Sequence, residues 1–246
     1  MALTDSLISY WKMDEASGTR VDSVVASGND LTDNNTVTQA AGKIGNSAQF
    51  TAANNESLTR ADNASLSVGD IDFTWAGWFM IDSKSNYMIA FIHNDGAPAF
   101  NYQIAYRMYW DVVVDRFVFT VGDGSANFAN LAADTLGAPS TGVWYFVVGW
   151  HDAAANTVNI QVNNGTADST GYTFGSFDST GELIFGDQGF VFYWDGRMDE
   201  IGFWKRVLTA AERTALYNGG SGLTYPFFTP GFGMNLDMQA AAAMCF

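Results

Sequence analysis

A chain of 246 residues with 26 acidic and 11 basic side chains carries a net charge of −15. That balance excludes nucleic acid and anionic membrane surfaces as partners, since both require clustered Lys and Arg. A hydrophobic share of 48 % excludes a disordered acidic chain, and the length suits one large all-β domain or two small ones.

From the N-terminus, MALTDSLISYWKMDE lacks the basic start and apolar stretch of a secretory signal. The expectation is a mature form, or a protein that reaches its place of work without a leader, as a component of a virus particle assembled in the cytoplasm would. No apolar run reaches the roughly 18 residues that a spanning helix needs, so no membrane insertion is expected. Residues 71–80, IDFTWAGWFM, mix β-branched and aromatic residues with large groups on both faces, the pattern of a doubly buried strand. Asn94-Asp95-Gly96 and Gly122-Asp123-Gly124 read as turns. Between those turns, residues 116–121 place Phe117, Phe119 and Val121 on one face. Residues 143–151 form a near-continuous apolar strand. Residues 157–163 alternate Val158, Ile160 and Val162 up to an Asn164-Gly165 hairpin signal. Further strands are predicted at 183–186, 190–194 and 198–204. Short strands at this spacing predict an all-β, two-sheet antiparallel sandwich or jelly roll.

One short helix follows the last strand. Thr209 and Glu212 have the spacing of a capping box, and Asn218-Gly219-Gly220 supplies the stop. From Leu223 the chain changes character: residues 223–246 hold a single charged side chain, Asp237, and two of the four prolines. An apolar segment of this kind is expected to dock on its own body, on a sister chain or on a larger assembly, with Tyr225, Phe227, Phe228, Phe232, Met238 and Phe246 as anchors; the alternative is a poorly ordered tail that carries no function. The one cysteine, Cys245, excludes an internal disulfide and a Cys-based zinc site.

Seven segments in order, ISYWKMDEASGTRVDS, SGNDLT, GKIGNSAQF, DFTWAGWF, GVWYFVVGWHD, VNIQVNNGT and WDGRMDEIGFWKRVLTAAERTALYNGG, resemble the laminin-G-like branch of the concanavalin A-like lectin/glucanase superfamily. The resemblance runs from about Leu7 to Tyr225. It implies a jelly roll over residues 1–222, with the tail 223–246 outside it, and membership among binding or adhesion modules, many of which hold calcium. By that likeness Asp22, the Gly28-Asn29 loop and Asp199 would come together around a structural Ca2+, an ion that needs several oxygen ligands. The loop departs from the family pattern, with Val24, Val25 and Ala26 where Ser, Gly and Asn are usual. The alternative is that Asp22 and Asp199 bond backbone amides at loop corners. If residues 198–204 form a regular strand, Glu200 faces away from Asp199 and pairs with Arg197, Lys205 or Arg206.

Sugars suit aromatic platforms edged with amides. The candidates are Tyr102, Tyr106, Tyr109 and Trp110, within residues 100–111, and Trp194 in a second aromatic patch. The competing reading of each ring is core or subunit contact. The superfamily's glycosidases carry Glu-x-Asp-x-x-Glu on one strand face. No segment here matches it, and His93 and His151 are the only histidines, so a non-catalytic protein is expected. Two functions remain open. One is a structural surface component anchored to a larger assembly, such as a virus-particle decoration or fibre protein, able to bind glycans or cell-surface components. The other is a calcium-dependent carbohydrate-binding or adhesion module of a secreted or surface protein. The expected location is a virion surface or the extracellular space.

Overall fold

The computed structural model describes residues 1–95, 103–187 and 192–227. In chain order the strands are β1 (Leu7–Trp11), β2 (Thr32–Asn34), β3 (Thr38–Ala41), β4 (Asn46–Phe50), β5 (Ser57–Arg60), β6 (Phe73–Ile81), β7 (Met88–Asn94) and β8 (Ile104–Asp111). They continue as β9 (Arg116–Gly122), β10 (Phe128–Ala132), β11 (Trp144–Asp152), β12 (Thr157–Val162), β13 (Asp168–Gly171), β14 (Leu183–Phe185) and β15 (Gly196–Trp204). The α-helix α1 (Ala210–Tyr217) follows.

Two antiparallel sheets stack as a sandwich, in keeping with a concanavalin A-like jelly roll. One sheet has eight strands in the order β13-β12-β11-β6-β15-β4-β3, with β1 also paired to β15. The other has seven, in the order β10-β9-β8-β7-β14-β5-β2. Side chains alternate between faces along a strand, and here the alternation decides which rings are buried between the sheets. From β6, Phe73, Trp75, Phe79 and Ile81 point into the core, where Trp75 lies 4.5 Å from both Phe91 and Phe203. From β12, Val158, Ile160 and Val162 do the same. Residues 192–195 carry no strand, unlike the 190–194 strand expected from their apolar pattern, and residues 190 and 191 lie outside the described residues.

The eight-stranded sheet is buried on its outer face as well, which explains why β6 reads as apolar on both sides. Tyr10, Ala76, Trp78, Phe146, Val148, Trp150 and Trp204 form an outer cluster under α1 and its flanking segments. Leu216 and Tyr217 hold the helix there, with Tyr217 stacked 5.8 Å from Trp78 and the Arg213 guanidinium 4.3 Å above Trp150. The capping box forms as the spacing predicts: Thr209 accepts from the Glu212 N–H, and Glu212 accepts from the Thr209 N–H. The Glu212 carboxylate also takes both arms of the Arg206 guanidinium at 2.7 and 2.8 Å.

Candidate functional site: a cleft between two edge strands

Strands β10 and β13 are the end strands of their respective sheets, and a cleft of about 480 Å³ opens between them. One wall is built by the turn after β9. Asp123 accepts hydrogen bonds from the Ser125 N–H and hydroxyl and from the backbone and side-chain N–H of Asn127. Gly124 allows this fold with a φ of +75°, and a side chain there would strike the Phe177 ring. The turn delivers Phe128 opposite Gly122, the first pair of the β10–β9 ladder. Alternation then sends Ala129 to the core and leaves Phe128 and Asn130 exposed.

The second wall is β13 and the three residues after it. Tyr172 is buried, and its hydroxyl donates to the Asn127 carbonyl at 3.0 Å, tying the walls together. Burial first, then the charges of Asp123 and Asp70, push the Tyr172 phenol well above its ordinary pKa. Phe174, 5.8 Å from Tyr172, is 59 % exposed, and Phe128 across the cleft is 41 % exposed. Between the rings stand Asn127, Asn130, Thr170 and Thr173. Thr120 donates to Asn130 Oδ1 at 2.6 Å, which leaves that amide's N–H groups as donors. Among the described residues that line the cleft, none is charged. Flat apolar faces edged by neutral donors and acceptors suit the alternating C–H and O–H surface of a sugar.

A second cleft of about 450 Å³ lies against β2, β5 and β14, lined by Asn34, Asn35, Asn55, Thr59, Tyr193 and the acids Glu182 and Asp187, among others. Its amides are partly committed: Asn34 Nδ2 donates to Thr59 and Asn35 Nδ2 to the Asn55 carbonyl. It offers one half-buried ring where the first cleft offers two exposed ones.

The rings singled out from the sequence lie elsewhere. Tyr106 and Trp110 alternate with Met108 into the core, and Trp194 is also fully buried there. None of the three can present a face to a ligand, because the strand register turns them towards the opposing sheet. Tyr109 faces outward from the seven-stranded sheet but is 6 % exposed, packed with Ile89, Ile92, Ile104 and Val118 beneath the Arg107 guanidinium at 4.3 Å. Tyr102 lies outside the described residues.

The four residues placed around calcium do not form one oxygen cage. The Asp22 carboxylate faces donors: it accepts from the backbone N–H of Tyr10, Val24 and Asn29 and from the Ser27 hydroxyl. The Asn29 side-chain amide donates to Ser9 and Ser65, and the Asn29 backbone carbonyl accepts from Trp11 Nε1. Gly28 adopts a φ of +60° that closes this loop. Asp199 engages another loop, accepting from the Lys43 and Ile44 N–H groups at 2.7 and 2.9 Å. Among the described residues no group of three or more His, Cys, Asp or Glu side chains is placed to hold a metal. In this arrangement Asp22 and Asp199 bond the backbone N–H groups of two separate loops, and Asn29 Oδ1 and Asp199 Oδ1 are buried without a hydrogen-bond partner.

Asp199 and Glu200 depart from the regular strand expected of them. Asp199 pairs with Trp78 and Gly202 with Ala76, so β15 holds one residue more than β6 across this span. The extra residue is Glu200, at a φ of +51°. Such a bulge breaks the alternation of faces, and both carboxylates leave the core on the outer side. Glu200 then meets the Tyr10 and Thr224 hydroxyls rather than Arg197, Lys205 or Arg206. The three cations expected near it are committed elsewhere: Arg197 to Gln49 and the Ala41 carbonyl, Lys205 to the Ala64 carbonyl and Arg206 to Glu212. Asp199 Oδ1 and Glu200 Oε2 are buried without a hydrogen-bond partner. Burial, opposed by the Ile44 and Lys43 N–H bonds and reinforced by Glu200 and Asp14, pushes Asp199 up to about 8. Burial, opposed by the Tyr10 and Thr224 hydroxyls, pushes Glu200 up to about 7. The cavity beside Glu200 is about 10 Å³, space for a water at most, so this acid pair has no room for a substrate.

The chain closes over the acids at residues 223–227. Tyr10 donates to the Leu223 carbonyl at 3.1 Å, and the Phe227 ring lies 5.3 Å from Tyr10 and 6.4 Å from Trp204. Tyr225 sits 5.8 Å from Tyr10. Of the docking targets open from the sequence, this part of the tail takes its own body. Phe228, Phe232, Met238 and Phe246 lie outside the described residues.

A laminin-G family model, described as the concanavalin A-like lectin/glucanases superfamily, matches residues 45–212. The chain belongs to that superfamily. No curated protein matches it significantly. Among solved structures it is similar to domain 4 of AbnA, an extracellular GH43 arabinanase from Geobacillus stearothermophilus solved in complex with arabinotriose. The TM-score is 0.65 at 17 % identity, over 85 % of this chain and 97 % of that domain. It is also similar to the binding domain of Paraclostridial Mosquitocidal Protein 1, with a TM-score of 0.68 at 14 % identity over 89 % of this chain and 53 % of that one. The binding domain of Botulinum Neurotoxin DC in complex with SialylT gives 0.60 at 12 % identity, over 88 % and 52 %. The chain thus spans about half of the two toxin binding domains and nearly all of the arabinanase domain. At these identities the likeness is one of fold.

Proposed function

We propose that the protein is a non-catalytic carbohydrate-binding module that takes glycan through the cleft between β10 and β13. The observation that carries this reading is the pair of exposed rings, Phe128 and Phe174, facing one neutral cleft furnished with asparagine and threonine side chains. Two exposed rings lining one cleft offer apolar faces that a sugar can cover, and the flanking amides can orient it. The lectin-like fold supports the same reading, as do the arabinotriose and SialylT held by two structural neighbours. The most catalysis-like pair, Asp199 and Glu200, sits beneath residues 223–227 and beside a cavity that admits no sugar, which favours binding over hydrolysis. Screening on a broad glycan array, followed by the same screen with Phe128→Ala and Phe174→Ala, tests the proposal. Saturable binding that both variants weaken is expected; an array with no hit, or hits indifferent to both variants, overturns it.

A further inference from the structure

The geometry points to the chemical class of the ligand: we propose that the Phe128–Phe174 cleft takes an uncharged oligosaccharide of roughly three sugar units and rejects acidic glycans. This rests on the carbohydrate-binding reading above and narrows it.

Size follows from the walls. Residues 126–130 form one and residues 170–174 the other; four steps of at most about 3.3 Å bound the trough at about 13 Å, room for no more than about three sugars. Two exposed rings on opposite walls give such a chain two stacking surfaces rather than one.

Charge follows from what lines the cleft and what lies behind it. The four polar side chains within it, Asn127, Asn130, Thr170 and Thr173, are all neutral, and no Lys or Arg reaches its lining among the described residues. Sialic acids and uronic acids need a cation or a cluster of N–H donors to replace the water around their carboxylates. Here the charge bonded to the lining is of the wrong sign. Asp123 lies directly behind Asn127, whose side-chain amide donates to it at 2.8 Å. Burial works to raise the Asp123 carboxyl, but hydrogen bonds from Asn127 and Ser125 outweigh it and hold the group below its ordinary range, so it is ionised at neutral pH. Asp70 adds a second negative charge near Tyr172. On a chain of net charge −15, an acidic glycan would enter against both the local and the overall field.

Gly171 provides a way to fill the cleft without disturbing the fold, since a Cβ built there meets no atom within 4 Å. The test is calorimetric titration of the intact protein with the best neutral binder from a panel of trisaccharides, arabinotriose and cellotriose among them. The same trisaccharide oxidised to uronic acid at its primary hydroxyls is titrated in parallel, along with shorter and longer neutral homologues. The oxidised chain is expected to bind at least about tenfold more weakly. The gap should narrow as salt rises from about 0.1 M to 1 M, which shortens the screening length from about 10 Å to about 3 Å. Affinity should climb to about three units and then level off, and Gly171→Leu should abolish it. Equal or tighter binding of the oxidised chain, or affinity that saturates at one sugar, overturns this inference while leaving carbohydrate binding intact. Neutral binding that survives Gly171→Leu moves the ligand out of this cleft and overturns it too. A panel in which no sugar binds overturns both readings.

Discussion

Asp199 and Glu200 are neighbours in sequence that leave β15 on the same side, because Glu200 is the extra residue of a bulge opposite Trp78. Two carboxylates are thereby buried together beneath Tyr10 and residues 223–224, with Asp14 and Lys12 the charged groups that act on Glu200 from the β1 side and Lys43 contributing only its backbone N–H to Asp199.

That pair makes stability fall as pH rises. Each group binds its proton more tightly folded than unfolded, so the folded state holds more protons between pH 4 and 8 and loses stability as they leave. The window runs from the ordinary values of 3.8 and 4.5 to the raised values of about 8 and about 7. Thermal unfolding at pH 5, 6.5 and 8 should give a descending midpoint. Asp199→Asn keeps an oxygen for the Lys43 and Ile44 N–H groups and removes the charge, so it should raise the midpoint at pH 8 and flatten the profile. A midpoint that is flat across this range in the wild type and unchanged in Asp199→Asn would refute the buried pair's role.

Glu212 joins α1 to β15 through Arg206 and caps its own helix. Glu212→Ala leaves the Arg206 guanidinium largely buried and unpaired, and breaking such a pair costs about 3–5 kcal/mol. Chemical denaturation should show a loss of this size, and a change below about 1 kcal/mol would contradict the assignment.

Asp22 organises the loop between β1 and β2 by accepting three backbone N–H groups and one hydroxyl. Asp22→Ala should destabilise by about 3 kcal/mol, through donors left without a partner, and by the same amount with excess calcium or with chelator. A calcium-dependent difference in the midpoint would show that a cation belongs in this loop after all.

Tyr106, Trp110 and Trp194 fill the core. Truncating Trp110 or Trp194 to Ala should cost about 3–5 kcal/mol, and glycan affinity measured on the folded fraction should be unchanged. Loss of affinity without loss of stability would place these rings in a binding site.

How much of this could be read from the sequence follows from the range of each interaction. Apolar runs and period-2 patterns are both local, so β6 and β11 were legible from the first, β9 and β12 from the second, and so was the helix, whose capping box spans only Thr209 to Glu212. The same alternation in residues 104–111 marks Tyr106, Met108 and Trp110 as one face. It does not reveal that this face meets the other sheet, and a count of rings made a core strand resemble a sugar platform. The bulge was invisible because it depends on the register of β15 against β6, set by Ile201 packing over Gly77. The cleft was missed for a similar reason. Phe128 is a lone ring in a polar, glycine-containing segment, a local sign of exposure, whereas Phe174 stands between Tyr172 and Phe177. Their meeting depends on two edge strands from different sheets, more than forty residues apart.

The most direct test of the central claim is a calorimetric titration of a neutral oligosaccharide into the wild type and into the Phe128→Ala/Phe174→Ala double variant, with thermal midpoints recorded for both. Both rings are well exposed, so the two proteins should unfold at nearly the same temperature, within the roughly 0.5 kcal/mol expected of surface changes. Saturable binding to the wild type, weakened at least about fivefold in the double variant, is the predicted result, since each ring supplies about 0.5–1.5 kcal/mol of stacking and the two together about 1–3 kcal/mol. Equal affinity in the two proteins, or no binding by the folded wild type, would contradict it.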